Sequence, residues 1–277
     1  MTPLAVTLLY VPGDRTDRVA KALSLGADVV IIDLEDAVAP VAKPAAREAL
    51  PSLLAARGTR RIQVRVNALG TPWAEADLAM VGTLDSEVEL RLPKVSSPDT
   101  VDAVLELMGS PRPVHCLLET AVAMERAFDI ARHSPAVASI ALGEQDLRSE
   151  LGVSAERGLD WARGRTVVAA RAAGLPPPVQ SVFPAVRDLD GLARSCREGR
   201  EMGFLGRCAI HPAQLPVIRA AYRPSAAEVR HAEEVLDRLA AADGTGSGVA
   251  VLSDGTFADA AMVAGARFVL EIEALTR

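Results

Sequence analysis

DVVIIDLEDAVAPVAKPAAREALPSLLAA, residues 28–56, decides the fold. It opens on seven residues in which only Asp28 and Asp33 interrupt Val, Ile and Leu, the composition of a strand buried on both faces. A polar turn follows, and then an Ala/Arg/Glu-rich amphipathic stretch over 43–56, which predicts a helix covering the sheet. Strand, turn and helix recur in that order on either side. Strands are expected at 7–12 (TLLYVP), 28–34 (DVVIIDL), 61–67 (RIQVRVN), 87–93 (EVELRLP), 113–119 (PVHCLLE), 137–143 (VASIALG), 179–183 (VQSVF) and 206–211 (GRCAIH). Helical patterns follow each, at about 15–26, 43–56, 73–82, 98–109, 121–132, 160–173, 188–202 and 212–221. Eight consecutive βα units predict an α/β fold of the (β/α)8 or TIM-barrel type. The alternative, a doubly wound open sheet, fits less well, because no GxGxxG follows the first strand.

Beyond residue 222 the pattern changes. Residues 225–243 read as one more helix, with Pro224 and the N-cap candidate Ser225 at its start and Gly244 near its end. A Gly/Ser-rich hinge, a short hairpin around Asp254-Gly255 and a final helix complete the chain. The expected division is a barrel over 1–222 and a helical arm or lid over 223–277. The length, 277 residues, allows a full core without staples. Hydrophobic residues at 49% and charged residues at 24% exclude collagen-like and disordered classes. Two Trp, two Tyr and five Phe leave little for base stacking, and a net charge of −6 argues against a nucleic-acid partner. Cys116, Cys196 and Cys208 form no CxxC or Cys/His cluster, so reduced thiols in a cytoplasmic protein are expected. No apolar run is long enough to span a bilayer, and no membrane association is expected.

Barrel active sites lie at the C-terminal ends of the strands, which directs attention to Asp33, Glu35, Asp36, Arg65, Asn67, Lys94, Glu119, Asp146 and His211. Glu119 and Asp146 are 27 residues apart, about one βα unit, and so fall at equivalent ends of neighbouring strands. Two carboxylates that close repel unless they share a proton or a cation, and oxygen ligands with room for water suit Mg²⁺. The competing reading makes each a cap of the helix that follows. Arg65 ends an apolar run and needs an anion, either Glu35 or Asp36 in a salt bridge or a substrate carboxylate gripped bidentately. A divalent cation with two carboxylates is formally neutral, so an acidic substrate still requires a cation, which favours the second. In VPGDR (11–15), Asp14 is a possible N-cap, and the backbone amides with Arg15 and Lys21 could receive phosphate. His115, His133 and His231 have no evident partners, and His211 is expected to hydrogen-bond at the rim.

LLYVPGDR (8–15), DVVIIDLEDAV (28–38), KPAAR (43–47), VRVNA (64–68), LPK (92–94), LLETA (117–121), LGEQDL (142–147), RDLDGL (187–192), AIHPAQ (209–214) and SDGTFAD (253–259) run in order across almost the whole chain. On these motifs the sequence resembles the citrate lyase β-subunit family, within the HpcH/HpaI-type aldolases that include malyl-CoA and citramalyl-CoA lyases. The resemblance implies a TIM barrel whose C-terminal segment packs across a neighbouring subunit, in a homotrimer or a multiple of it. It also implies Mg²⁺-assisted cleavage of a 3-hydroxyacyl thioester (citryl-, malyl- or citramalyl-CoA type) between its α and β carbons, giving an acetyl thioester and an oxo acid. Glu119 and Asp146 would hold Mg²⁺, Arg65 would meet the substrate carboxylate, Arg15 and Lys21 the CoA phosphates. Glu35 and Asp36 join Arg65 as catalytic candidates, and Asp259 would bring an acid across the subunit boundary. Breaking the C–C bond requires a Lewis acid at the hydroxyl end and a base for its proton.

Four departures from the family pattern border the acyl pocket and the lid: Glu144-Gln145 before Asp146, Gln180 at a commonly acidic position, Arg207 for the usual Lys, and Asp259-Ala260-Ala261 for Asp-x-Pro. Related readings are a lyase subunit serving a citryl group on an acyl carrier protein and a thioesterase on the same Mg²⁺ site. A catalytically silent CoA-binding paralogue is the alternative from another class.

Overall fold

The computed structural model describes residues 3–55, 57–243 and 248–277 and divides into two compact units, Met1–Ile218 and Arg219–Arg277. In the first, seven parallel strands form one sheet: β1 (Thr7–Pro12), β2 (Val29–Asp33), β3 (Arg61–Arg65), β4 (Val88–Leu92), β5 (Val114–Leu118), β6 (Val137–Leu142) and β7 (Arg207–Ala209), in the order β6-β5-β4-β3-β2-β1-β7. Every residue of β2, β4 and β5 is buried, as strands covered on both faces require. The sheet curls. Arg91 on β4 donates to the Tyr10 hydroxyl on β1 at 2.8 Å and to Cys208 Sγ on β7 at 3.6 Å. In a flat sheet those strands would lie roughly 14 and 19 Å from β4, beyond the reach of an arginine side chain.

The seventh expected strand, 179–183, is reduced to one bridge between Gln180 and Arg207. Leu205 N donates to Pro178 O, Gln180 N to Gly206 O and Cys208 N to Gln180 O, so this segment pairs with β7. Among the described residues no ladder joins it to β6. Pro176, Pro177 and Pro178 supply no N–H, and Pro184 ends the segment, which limits its capacity for ladder bonds. Of the expected (β/α)8 barrel, the described residues show a curled parallel sheet of seven strands that is not closed into a full barrel.

The helices α1 (Thr16–Ser24), α2 (Lys43–Leu54), α3 (Ala74–Thr83) and α4 (Pro98–Met108) alternate with the strands as the pattern predicts. The helix expected over 121–132 is two, α5 (Ala121–Glu125) and α6 (Ala127–Arg132), because the backbone leaves the helical region at Arg126 (φ −98°, ψ 8°). A short helix not anticipated from the sequence, α7 (Glu144–Leu151), follows β6, and α8 (Asp160–Ala172), α9 (Leu189–Glu201) and α10 (Gln214–Tyr222) come after it. Arg15, with no side-chain cap bond, occupies the N-cap of α1 that was expected for Asp14. Cys116, Cys196 and Cys208 are all free and buried.

The second unit holds α11 (Ala226–Asp243), the antiparallel hairpin β8 (Val249–Val251) and β9 (Phe257–Asp259), and α12 (Ala260–Thr276). Ser225 Oγ accepts from Glu228 N while Glu228 Oε2 accepts from Ser225 N, a reciprocal capping box. Gly255 turns the hairpin at φ 84°, a conformation that suits glycine. Ala232, Val235, Leu252, Ala258 and Ala266 form the unit's apolar centre. Of the Gly/Ser-rich hinge, residues 244–247 lie outside the described residues. No described helix is long and apolar enough to cross a membrane.

Candidate active site

Asp33 closes β2 and Arg65 closes β3, and the register places them side by side. Arg65 Nε and Nη2 fork onto the two Asp33 oxygens at 2.7 and 2.6 Å. Its Nη1 lies 2.9 Å from Glu35 Oε2 and 3.6 Å from Asp36 Oδ2. The salt bridge weighed for Arg65 therefore exists, but its main partner is Asp33, which also accepts the Glu35 and Ala37 N–H groups. Burial opposes the Arg65 charge, yet the Asp33 fork outweighs it and holds the guanidinium ionised.

The turn carrying Glu35 and Asp36 is held from behind. The buried Lys43 ammonium donates to Leu34 O, Glu35 O and Asn67 Oδ1 at 2.8, 2.6 and 2.7 Å. Asn67 in turn donates to Leu34 O and to the fully buried Asp77. Neither Glu35 oxygen completes a hydrogen bond, although Arg65 Nη1 and Lys94 Nζ (3.5 Å) are within ion-pair range. Burial pushes the Glu35 carboxyl up to about 7, against the pull of Arg65.

Glu119 follows β5 and reaches over the end of β6, where a side chain on Gly143 would come within 2.3 Å of Glu119 Cγ. Lys94 N donates to Glu119 Oε2 at 3.1 Å from a left-handed backbone (φ 53°), unusual for a residue with a side chain. Neither candidate carboxylate acts as a helix cap: Thr120 caps α5, and Gly143 stands at the N-cap of α7. Asp146, in the first turn of α7, is exposed and makes no hydrogen bond or ion pair among the described residues. Burial, then the Asp146 charge, push Glu119 up to about 6. The described residues contain no cluster of three or more His, Cys, Asp or Glu placed to hold a metal. A pair of mutually repelling carboxylates that leaves the other positions to water and ligand fits a hard divalent cation of octahedral habit.

Arg65, Asp36, Glu119 and Asp146 line one cavity of about 340 Å³, together with Tyr10 and Arg91. Arg15, paired with Asp17 at 3.3 Å, and the exposed Lys21 lie outside that lining, on the turn after β1 and on α1. Gly13 lets this turn pass close to β2, since a Cβ there would meet Leu34 Cδ2 at 2.9 Å and Asp33 O at 3.0 Å. Asp259 sits in the second unit as the N-cap of α12, its Oδ1 accepting from Ala261 N at 2.9 Å. His211 accepts from Ala213 N through Nδ1.

His115 has partners that its sequence context concealed. Its Nε2 lies 2.9 Å from Glu89 Oε2 and its Nδ1 2.8 Å from Ser139 Oγ. Burial lowers the His115 pKa, so we assign a neutral ring that donates from Nε2 to an ionised Glu89. Burial opposes that charge, but His115, Arg61 and Gln63 hold the Glu89 carboxyl down to about 2. A folded-state pKa below the unfolded 4.5 contributes stability that is present above pH 4.5 and lost as pH falls toward 2. Glu89→Gln is therefore expected to lower the stability by up to ~3 kcal/mol at neutral pH, with the difference from wild type shrinking below pH 4.5. Thermal melts from pH 7 to 2 measure this, and a difference independent of pH would contradict the assignment.

The chain belongs to the HpcH/HpaI aldolase/citrate lyase family, whose profile matches residues 6–212. A (3S)-malyl-CoA thioesterase of Cereibacter sphaeroides is 40% identical over 252 residues, covering 89% of this chain and 87% of the relative. A citrate lyase subunit beta-like protein of Mycobacterium tuberculosis is 40% identical over 237 residues, 82% of each chain. Among solved structures, CitE of Mycobacterium tuberculosis in complex with magnesium, acetoacetate and coenzyme A matches with a TM-score of 0.79 at 34% identity, over 98% of both chains.

Proposed function

We propose that this protein is a Mg²⁺-dependent lyase that splits a 3-hydroxyacyl-CoA between its α and β carbons into acetyl-CoA and an oxo acid. The observation that carries the reading is the convergence of Glu119, Asp146 and Arg65 on one cavity, with Glu119 raised by burial and by Asp146. Glu119 and Asp146 would hold the metal, and the magnesium complex of the related CitE supports Mg²⁺ as its identity. Bound there, Mg²⁺ would supply Lewis-acid polarisation of the oxygen that changes from hydroxyl to carbonyl.

The remaining chemistry falls to the chain's own groups. Arg65, oriented by its Asp33 fork, meets the substrate carboxylate with the edge that now faces Glu35. Glu35, poised near neutrality, accepts the C3 hydroxyl proton while the C–C electron pair moves onto the α carbon and is delocalised as the thioester enolate. Lys94 and Asp36 flank that carboxylate and tune its charge. Arg15 and Lys21 are assigned to the CoA phosphates, or to the phosphopantetheine of an acyl carrier protein. The joint presence of Arg65, Glu119 and Asp146 speaks against a silent paralogue. Metal-stripped protein is expected to be inactive and to recover with Mg²⁺; undiminished turnover after chelation would refute the metal role.

A second reading, hydrolysis of the thioester on the same metal site, is favoured by the 40% identity to a relative named as a thioesterase. It differs from the first in both products: free CoA and the intact hydroxy acid replace acetyl-CoA and the oxo acid.

Asp259 is assigned to a neighbouring subunit's cavity in a homotrimer, where it would protonate the enolate carbon. Asp259→Ala and Arg65→Ala proteins should each be nearly inactive, yet regain part of their activity when co-refolded, because some mixed sites would carry both native residues. No rescue in mixtures whose subunits demonstrably exchange would remove Asp259 from catalysis between subunits.

A further inference from the structure

Arg91 carries a charge that no neighbour matches. Its side chain projects from β4 to the floor of the cavity that Glu119 and Asp146 line, and the residue is 2% exposed. Nε donates to the Tyr10 hydroxyl at 2.8 Å, Nη1 to Gln63 Oε1 at 2.9 Å and Nη2 to Cys208 Sγ at 3.6 Å. Three of the five N–H groups of the guanidinium are thereby used, one of them on a weak sulfur acceptor, and no carboxylate lies within ion-pair distance among the described residues. Burial holds the Tyr10 phenol up at about 12 and raises the Cys208 thiol, so both partners stay neutral at physiological pH. The carboxylate nearest in the network, Glu89, is reached only through Gln63, and it already serves His115 and Arg61.

Arg207, 4% exposed on β7, resembles Arg91 in donating only to neutral groups, Gln180 Oε1 and Ser195 Oγ, but three other cations around the site are treated differently. Arg65 forks onto Asp33 and Arg163 onto Glu144, while Lys43 donates three short hydrogen bonds to carbonyl oxygens behind the turn. Arg91 also pairs in register with Arg65, and the two guanidiniums share the Tyr10 ring at 5.6 and 5.0 Å from its centroid. Placing a second cation there, without an anion, costs several kcal/mol that an apolar residue of similar size would avoid. An anion that arrives with the substrate offsets that cost.

We propose that Arg91 is a specificity-determining residue that receives a second carboxylate, carried on the carbinol carbon of the substrate, at the floor of the cavity. This rests on the lyase reading and narrows it. A hydrogen or a methyl on that carbon leaves Arg91 unmatched, whereas a carboxymethyl arm supplies its partner, so the favoured oxo-acid product is a dicarboxylate.

The test compares CoA thioesters bearing hydrogen, methyl or carboxymethyl at the carbinol carbon (malyl-, citramalyl- and citryl-CoA) in wild type and Arg91→Met, with melting curves of both. Wild type is expected to prefer the carboxymethyl substrate, and Arg91→Met to reduce its kcat/KM relative to the methyl substrate by about 10²-fold, chiefly through KM. Should Arg91→Met fail to fold, Arg91→Lys carries the test, with an expected loss of about 10-fold in the same ratio. Mg²⁺-saturated protein is also titrated calorimetrically with oxaloacetate and with pyruvate. A wild-type preference for oxaloacetate that Arg91→Met abolishes supports the proposal even if no thioester is cleaved, which would sink the lyase reading alone. Preference for the methyl substrate in wild type, or a selectivity ratio kept within threefold in the variant, overturns the role of Arg91 and leaves the lyase reading intact.

Discussion

Asp146→Asn is expected to fold as the wild type does and to lose Mg²⁺ affinity and turnover together. Asp146 is exposed in the first turn of α7 and holds no partner among the described residues, so the amide removes nothing from the fold. It does remove one of the two anionic ligands proposed for the metal, and the repulsion that helps push Glu119 up to about 6. Loss of a preorganised Lewis acid is worth several kcal/mol in the transition state, on the order of 10³-fold in turnover. Calorimetry with Mg²⁺ and a parallel rate measurement decide the matter. Unchanged Mg²⁺ binding in this variant would show that the metal is held elsewhere.

Arg65→Lys is expected to cost both stability and activity, for separable reasons. Lysine keeps the charge but cannot fork onto Asp33, whose carboxylate is 1% exposed. Asp33 keeps the backbone N–H groups of Glu35 and Ala37, so the loss should stop at about 1–3 kcal/mol, or ~2–4 °C of melting temperature per kcal/mol. The edge that would meet substrate also loses its fixed direction, and kcat/KM should fall on the order of 10²-fold or more. A lower melting temperature with full activity would make Arg65 a strut for the Glu35 turn and nothing more.

The alternation that marks DVVIIDL as a strand and KPAAR as the start of a helix made most of the sheet legible, because burial on both faces leaves a strand little choice of residues. That Glu119 and Asp146 share one cavity was legible because one βα unit carries a residue to the same side of the sheet, although Asp146 lies in the first turn of α7 and not at the end of β6. The failures have a common origin in partners distant along the chain. Asp33 is visible in the sequence as a strand end, but its fork with Arg65 depends on register between β2 and β3. His115 has no visible partner in the sequence because Glu89 and Ser139 come from flanking strands. Glu89 and Arg91, two apart in VELRL, were a visible signal, since charges at alternate positions of an aliphatic strand share one face. The strand expected over 179–183 shrinks to a single bridge because VQSVF has strand composition while its flanking prolines take away donors.

Product analysis of wild-type protein supplied with Mg²⁺ and a hydroxyacyl-CoA tests the central claim most directly. Lyase action predicts acetyl-CoA and an oxo acid in equal amounts, with no free thiol released. Free CoA together with the intact hydroxy acid would contradict it and assign the same carboxylates to thioester hydrolysis.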